Sequence, residues 1–472
     1  MPFAAALFCL AEDIEMGTDT IAAIATPLSS SGIGIIRISG PEAIDIASEV
    51  FRPKREKDIK KAATYTAHYG HAVKDGKDID ECILLIMKGP HSYTAEDVAE
   101  INCHGGVVVM KKILSCIIEA GARPAEPGEF TKRAFLNGRI DLSRAEAVMD
   151  LIHSKNEFAM ETSLKQLKGS LSEKIRSLRK EIVHSVAFIE SALDDPEHYS
   201  VDGFSEQLKV QVEHARDDIQ KYLDSSDNGR ILKEGIHTAI VGKPNAGKSS
   251  ILNVLLGEER AIVTDIAGTT RDTLEESIQI NGIPLNVIDT AGIRDTDDVV
   301  EKIGVDKARD SVIKADLVLY VVDTSVPLTK EDEEIMKLLN GKQVIVLLNK
   351  SDLETKVSES EFLDRGFQNI VPVSAKSLYG LEDLYERIND LFFNGRVSFN
   401  DEVYITNMRH KKALANAKDS LDLVLKSIED RMPEDFFSID LMDAYEELGY
   451  IIGESVGEDL VNEIFAEFCM GK

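Results

Sequence analysis

The chain is short of positive charge, of paired cysteines and of long apolar runs. Lysine and arginine total 54 against 83 aspartates and glutamates, a formal net charge of −29. Broad nonspecific binding to nucleic acid needs clustered cations, so this balance argues against it. Any contact with RNA must come from a local basic patch or from a basic partner. The five cysteines (Cys9, Cys82, Cys103, Cys116 and Cys469) form no C-x-x-C pair. Neither a zinc site nor a disulfide framework is suggested, and a reducing cytoplasm fits. No apolar run reaches the roughly 18 residues of a membrane-spanning helix, so no membrane contact is expected. Residues 1–10 are apolar but lack a basic n-region, and acidic residues follow at once, which argues against export. Residues 1–18 read as an N-terminal extension, either a disordered tail or sequence ahead of a start at Met16. What remains is ordinary for a globular protein, with 43% hydrophobic and 29% charged residues. A length of 472 residues predicts two to four domains, each with its own core.

Residues 19–137 mix short apolar runs, Ile33–Ile38 and Cys82–Met87, with turn residues and a helical pattern over Val107–Ala120, the signature of an α+β domain. From 138 to 234 the period is helical. Ser143-Arg144-Ala145-Glu146 has the form of a capping box. Leu164, Leu167, Leu171, Ile175, Leu178, Ile182, Val186, Ile189 and Leu193 then make one stripe along a single long helix with no proline before Pro196. Residues 235–393 alternate strands and helices, with strands expected at Thr238–Val241, Glu276–Ile280, Leu285–Ile288, Leu317–Val322, Val344–Leu348 and Ile370–Val373. Asn281-Gly282 signals a hairpin, and the rest reads as a doubly wound α/β domain. Residues 394–472 return to the helical period through Leu414, Ala417, Leu421, Val424, Ile428, Leu460, Ile464 and Phe468. Each helical stretch buries only one stripe, so the two are expected to pack together with the α/β domain inserted between them. Residues 430–468 carry 12 acidic residues and one basic residue, Arg431, which suits a solvated surface or a basic docking partner.

The α/β segment carries its chemistry in ordered motifs. Gly242-Lys243-Pro244-Asn245-Ala246-Gly247-Lys248-Ser249 matches the phosphate-binding loop G-x-x-x-x-G-K-S in full. Its backbone N–H groups can wrap polyphosphate, Lys248 can reach the β and γ oxygens, and Ser249 can ligate Mg²⁺, with Ser250 following. Asn349-Lys350-Ser351-Asp352 supplies the base reader, because the Asp352 carboxylate can accept from guanine N1–H and its 2-amino group. Asp289-Thr290-Ala291-Gly292 ends a strand, where Asp289 can hold Mg²⁺ through water and the Gly292 N–H can meet the γ-phosphate. Ser374-Ala375-Lys376 follows the last strand beside the base. Gly268-Thr269-Thr270-Arg271-Asp272 lies in the switch position, with Thr270 as the second Mg²⁺ ligand. The order of these motifs makes the chain a GTP binder.

One departure stands out. The position after D-x-x-G often holds a glutamine that orients the attacking water, and here it is Ile293. Hydrolysis must use another group and another source of positive charge. Asp295, Asp297, Asp298 and Glu301 are the nearby candidates, and chemistry alone does not choose among them.

The phosphate loop, the segment Val263–Asp272 and the terminal Cys469-Met470-Gly471-Lys472 together resemble the MnmE (TrmE) family of tRNA modification GTPases, within the wider TrmE-Era-EngA-like group. The likeness extends through Asp19–Ala23, Gly34–Gly40, Cys103-His104-Gly105-Gly106, Pro127–Thr131 and Arg133–Gly138. It covers nearly the whole chain from Asp19, with Met470 where the family commonly carries isoleucine. The resemblance implies a Ras-like P-loop G domain (235–393) inserted into a split helical domain (138–234 and 394–472), preceded by an α+β domain (19–137) that dimerises and binds folate. In the nucleotide site it implies roles for Asn245, Ala246, Gly247, Lys248, Ser249, Ser250, Thr264, Asp265, Ile266, Ala267, Gly268, Thr269 and Thr270. The remaining G-domain motifs, Asp289 to Gly292, Asn349, Lys350, Asp352 and Ser374 to Lys376, complete that set.

The resemblance also implies K⁺ beside the phosphates, held at Asn245, Thr264, Ile266 and Thr269, where a monovalent cation can do the work of an arginine finger. It puts the water-positioning carboxylate at Glu301. Arg37, Glu100, Arg139 and Lys472 match the one-carbon site, with arginine at 139 where some members carry lysine. Cys469 matches the functional terminal cysteine; thiolate chemistry there would need a lowered pKa, and Lys472 lies three residues away in sequence. The implied assembly is a cytoplasmic homodimer working with the flavoprotein MnmG, as a heterotetramer, on tRNA whose contacts the partner shares. Together they would form an aminomethyl or 5-carboxymethylaminomethyl group on C5 of the wobble uridine. A tetrahydrofolate derivative (5-formyl or 5,10-methylene form) supplies the carbon, and glycine or ammonium the amine. FAD and NADH enter through the partner, since this chain has no G-x-G-x-x-G fingerprint. Two rival readings are a ribosome-assembly GTPase, which would call for a basic RNA-binding domain not seen here, and a GTP-switched scaffold without modification activity.

Overall fold

A computed structural model of the protein describes residues 19–195, 203–258, 276–280, 283–288, 311–393, 405–454, 456–466, 468 and 471. The chain divides into two compact units. One gathers Met1–Ile152, Leu164–Ala215 and Asn416–Lys472, and the other His153–Ser163 and Arg216–Ala415. Among the described residues no helix is long and apolar enough to cross a membrane.

The first unit is built on a seven-stranded sheet. Its strands are β1 (Ile21–Ile24), β2 (Ser31–Ser39), β3 (Phe51–Pro53), β4 (Thr66–Lys74), β5 (Lys77–Met87), β6 (Val98–Gly105) and β7 (Arg123–Pro124), in the order β3-β4-β5-β6-β2-β1-β7. Every pairing is antiparallel except β1 with β7. The period of two along a strand decides the two faces. Ala22, Ile36 and Ile38 face a core shared with Ile44 and Ala47 of helix Ala43–Val50 and with Met110, Ile113 and Ile117 of helix Val107–Glu119. The intervening Ile21 and Ala23 pack on the opposite face against Phe130. Arg37, between Ile36 and Ile38, lies in register with Ala23 on one side and Glu100 on the other.

That second face is closed at one end by helix Glu129–Leu136, held by charge as well as by Phe130. Arg133, with 7% side-chain exposure, pairs with Asp19 at 2.7 Å, Glu129 at 3.1 Å and Glu96 at 3.3 Å. Arg123 adds Asp19 and Glu129, both at 2.6 Å. Burial alone would raise the Glu129 carboxyl, but hydrogen bonds from Arg123, the Glu126 N–H and Arg133 outweigh it and hold it below its ordinary range. Asp19 is lowered in the same way, its partial burial outweighed by Arg123 and Arg133.

The helices between 142 and 194 correct two expectations. The stripe from Leu164 to Leu193 belongs to two helices, Glu157–Leu167 and Ser170–Asp194. Gly169, at φ 101°, ends the first in the left-handed conformation that glycine alone adopts without strain, and its carbonyl starts the second by accepting from Glu173 N–H. Leu164 is accordingly 39% exposed, whereas Leu171, Ile175, Leu178, Ile182, Val186 and Ile189 are buried. The capping residue near 143 is Asp141: its Oδ1 accepts from the Arg144 N–H at 3.1 Å and the Ser143 hydroxyl at 2.8 Å, so Ser143 lies inside helix Leu142–Ile152. Helix Ser170–Asp194 packs on helix Asp435–Ile452, where Arg179 stacks 3.9 Å from the Tyr445 ring centroid and donates to its carbonyl at 3.1 Å. Asp435, Asp443 and Glu446 stand exposed on the latter helix.

The second unit holds six strands: β8 (Ile236–Val241), β9 (Glu276–Ile280), β10 (Ile283–Val287), β11 (Leu317–Asp323), β12 (Val344–Asn349) and β13 (Ile370–Pro372). Their order is β13-β12-β11-β8-β10-β9, parallel except for the β9–β10 hairpin. Ile280 pairs with Ile283 across the expected two-residue turn, and Asn281 and Gly282 themselves lie outside the described residues. Alternate residues of β11 feed two cores. Leu319 and Val321 join Ile251, Leu255, Leu384 and Ile388, whereas Val318, Tyr320 and Val322 join Met336 and Phe362. Helices therefore cover both faces, as in a doubly wound sheet, and the chain leaves β8 at the point where the strand order switches side.

The Arg133 network yields a stability prediction. Arg133→Met is expected to cost about 3 kcal/mol in urea denaturation, because it removes one of the two arginines paired with the buried Glu129 and an ion pair from the largely buried Glu96. In the parent protein the stabilisation from Asp19 and Glu129 is present above their ordinary values of 3.8 and 4.5 and is lost as pH falls below them. An acid limb in that range, shallower in the variant, is the expected result.

Candidate functional site

The phosphate loop leaves β8 at Val241 and enters helix Lys248–Glu258. Asn245 at φ 62° and Gly247 at φ 100° take left-handed conformations, the alternation that turns successive N–H groups into an anion-binding nest. At Gly247 a Cβ would meet Asn349 Nδ2 at 2.1 Å, so only glycine fits. Lys248 donates from Nζ to the carbonyls of Gly242 at 2.7 Å and Lys243 at 2.9 Å, and burial lowers its pKa. Its ammonium is thus poised at the mouth of the loop, at a helix N-terminus suited to phosphate. Asn245 and Ser250 are exposed, Ser249 is half-buried and Ala246 is buried.

The base-side residues converge on the same end of the sheet. Asn349, at the end of β12, donates from Nδ2 to the Ala246 carbonyl at 2.9 Å and accepts at Oδ1 from the Ala375 N–H at 3.3 Å. It therefore staples the phosphate loop to the segment after β13. Ser374 donates its hydroxyl to Asp352 Oδ1 at 2.8 Å, orienting the carboxylate that would read guanine. Lys350, at φ 63°, reaches Asp323 at 2.5 Å, and Lys376 is exposed. The described donor set fits a guanine nucleotide: a nest for phosphate, an oriented carboxylate for the base, and Ser249 on the first helical turn for Mg²⁺. Thr264, Asp265, Ile266, Ala267, Gly268, Thr269, Thr270, Asp289, Thr290, Ala291, Gly292, Asp295, Asp297, Asp298 and Glu301 lie outside the described residues. Of the expected K⁺ ligands only Asn245 is described, and of the Mg²⁺ ligands only Ser249.

The first unit brings together three of the four residues expected around folate. Arg37 Nε donates to Glu100 Oε1 at 2.7 Å, with side chains only 15% and 14% exposed. The Arg37 guanidinium lies 5.1 Å from the Tyr93 ring centroid and 5.5 Å from that of Phe130, and Arg139 sits 4.7 Å from Tyr93 on its own account. Burial lowers the Arg139 pKa. Arg37 also donates to the Gly471 carbonyl at 3.2 Å, which brings the end of the chain to the site. A Cβ on Gly471 would stand 2.5 Å from the Ile24 carbonyl. Cys469 and Lys472 lie outside the described residues. A carboxylate, two guanidiniums and an aromatic ring suit a flat heterocycle with N–H donors and an acidic tail. Sequence reasoning missed Tyr93 and Phe130 as site residues. Phe130 sits in the quoted Pro127–Thr131 segment, but Tyr93 lies in an irregular stretch where no periodicity marks it.

Two family descriptions match the chain: "GTP-binding protein TrmE N-terminus" over residues 20–139 and "MnmE helical domain" over residues 142–469. A protein of Lachnoclostridium phytofermentans named tRNA modification GTPase MnmE is 56% identical over 458 residues, covering 97% of this chain and 100% of its own. One of the same name from Clostridioides difficile is 50% identical over 455 residues, covering 96% of this chain and 99% of its own. Among solved structures, Era of Aquifex aeolicus bound to GDP and aluminium fluoride is 30% identical, covers 39% of this chain and 65% of its own, and has a TM-score of 0.26.

Gly247→Ala is expected to abolish GTP and GDP binding in isothermal titration, because the added methyl displaces Asn349 from the Ala246 carbonyl and opens the loop.

Proposed function

The chain belongs to the MnmE family of tRNA modification GTPases, and from that premise we propose how its two sites divide the work. It hydrolyses GTP and takes part in tRNA modification, and its G domain binds GTP with Mg²⁺. Beyond this, the N-terminal site takes a tetrahydrofolate derivative, in its 5-formyl or 5,10-methylene form, as the source of one carbon. The gathering of Arg37, Glu100 and Arg139 around Tyr93 is the observation that carries this reading. Glu100 would pair with the pterin N–H donors, and the guanidiniums would hold the glutamate tail. Cys469, two residues before Gly471 in sequence, would supply a thiol to the modification chemistry.

In the G domain, Asn245 with Thr264, Ile266 and Thr269 would hold K⁺. When bound, that ion supplies positive charge beside the β–γ bridging oxygen. Ile293 has no group with which to orient water, and Glu301 takes that part. The protein acts as a cytoplasmic homodimer with the flavoprotein MnmG, in a heterotetramer that shares the tRNA. The partner brings FAD and NADH and much of the cationic surface that a chain of net charge −29 lacks. The product is the aminomethyl or 5-carboxymethylaminomethyl group on the wobble uridine.

Two measurements test this reading. The steady-state GTPase rate is expected to be much higher in potassium than in sodium at equal ionic strength, and Asn245→Ala to lose the difference. Equal rates in both salts would remove the potassium reading. Glu100→Gln is expected to weaken 5-formyltetrahydrofolate binding about tenfold or more by equilibrium titration. Unchanged binding would remove Glu100 from the site.

A further inference from the structure

One short segment reaches both loops that grip the nucleotide. At its start, the Asp323 carboxylate at the end of β11 pairs with Lys350 at 2.5 Å and accepts from the Ser325 N–H and hydroxyl at 2.9 and 2.6 Å. The next residue, Thr324, donates its hydroxyl and its N–H to the Asn349 carbonyl, both at 3.0 Å. At its far end Asp332, fully buried, pairs with Lys243 of the phosphate loop at 2.9 Å, and the Lys243 side chain is only 10% exposed. The same carboxylate closes the capping box of helix Lys330–Leu338, accepting the Thr329 N–H at 2.8 Å and hydroxyl at 2.9 Å, and it accepts the Tyr320 hydroxyl at 3.2 Å.

We propose that Asp323–Asp332 is a positioning strut: Asp332 sets the phosphate loop through Lys243, and Asp323 sets the guanine-reading loop through Lys350. The proposal rests on GTP binding alone, and on none of the metal, folate or partner readings above. Both tethers act one step from the ligand groups. Lys243 carries one of the two carbonyls that hold Lys248, and Lys350 stands two residues before Asp352 in a left-handed conformation that lysine adopts only under constraint. A buried carboxylate is costly unless fully paired, and Asp332 is satisfied at both oxygens. Burial would raise its pKa, but the Thr329 bonds and Lys243 outweigh this, so it stays an anion. Asp323 is likewise lowered by Lys350 and Ser325 against its burial. Strand β11 is fully buried and paired on both sides, so the strut starts from a rigid base.

A purely structural role would lower stability without regard to which half of the nucleotide is bound. The strut predicts a split, read on the full-length protein with fluorescent GDP and GTP in stopped flow and with GTP against ITP, which lacks the 2-amino group. Asp332→Asn and Lys243→Gln are each expected to weaken GTP and GDP about tenfold through faster dissociation. Their GTP:ITP preference should stay within about twofold of the parent. Lys243→Arg keeps the charge and should restore affinity to within about twofold. Asp323→Asn is expected to reduce the GTP:ITP preference about tenfold. The proposal is overturned if the variants bind as the parent does, if Lys243→Arg fails to restore affinity, or if Asp332→Asn and Asp323→Asn change affinity and base preference alike.

Discussion

The Arg133 guanidinium, with almost no access to water, ties three separate parts of the first unit to one point: Asp19 at the approach to β1, Glu96 ahead of β6, and Glu129 on its own helix. None of these is adjacent in sequence to the others, apart from the helical pair four residues apart. An apolar contact could hold helix Glu129–Leu136 on the sheet but would leave it free to slide. Directed bonds to three carboxylates set its register. Because Phe130 rides on that helix and Arg139 follows it, the geometry around Arg37 and Tyr93 inherits this constraint. The Glu96 carboxylate passes it on through Ser39 to Thr94, next to Tyr93 itself.

The two units place their chemistry by different means. In the first, functional side chains stand on the face of an antiparallel sheet, where strand register fixes Arg37 opposite Glu100 and a helix closes the end. In the second, both faces of the sheet are consumed by packing, so chemistry is confined to the loops at the carboxyl ends of β8, β11, β12 and β13. Loops carry no register of their own. Their positions come from polar contacts such as Asn349 to Ala246 and Ser374 to Asp352.

Much of this was legible in the residues. Strands β8, β11, β12 and β13 lie within two residues of their expected ends, since parallel strands buried on both faces are continuous apolar runs bounded by turn residues, whereas the hairpin strands β9 and β10, equally close to expectation, are marked by the Asn281-Gly282 turn between them. The phosphate loop and the guanine-reading loop were legible because their spacing is dictated by the ligand. What escaped was decided by single residues acting against a pattern. Gly169 interrupts an apolar stripe that carries no other mark of a break. Asp141 outcompetes Ser143 as a cap because its carboxylate reaches the Arg144 N–H. Tyr93 joins the Arg37 site only because β1, β2 and helix Glu129–Leu136 are brought together, which no local pattern encodes. Three of the four residues expected around folate lie together, while Glu301, Cys469, Lys472 and the segments at 264–270 and 289–292 fall outside the described residues.

The bond from Arg37 to the Gly471 carbonyl spans 434 positions of sequence. A ribosome making this chain emits the arginine 434 residues before the glycine. The N-terminal sheet has all of its own strands long before that, yet the site on its face stays unfinished until Gly471 leaves the exit tunnel. A chain interrupted anywhere between the last strand of that sheet and Gly471 would hold every strand and still lack one wall of that site.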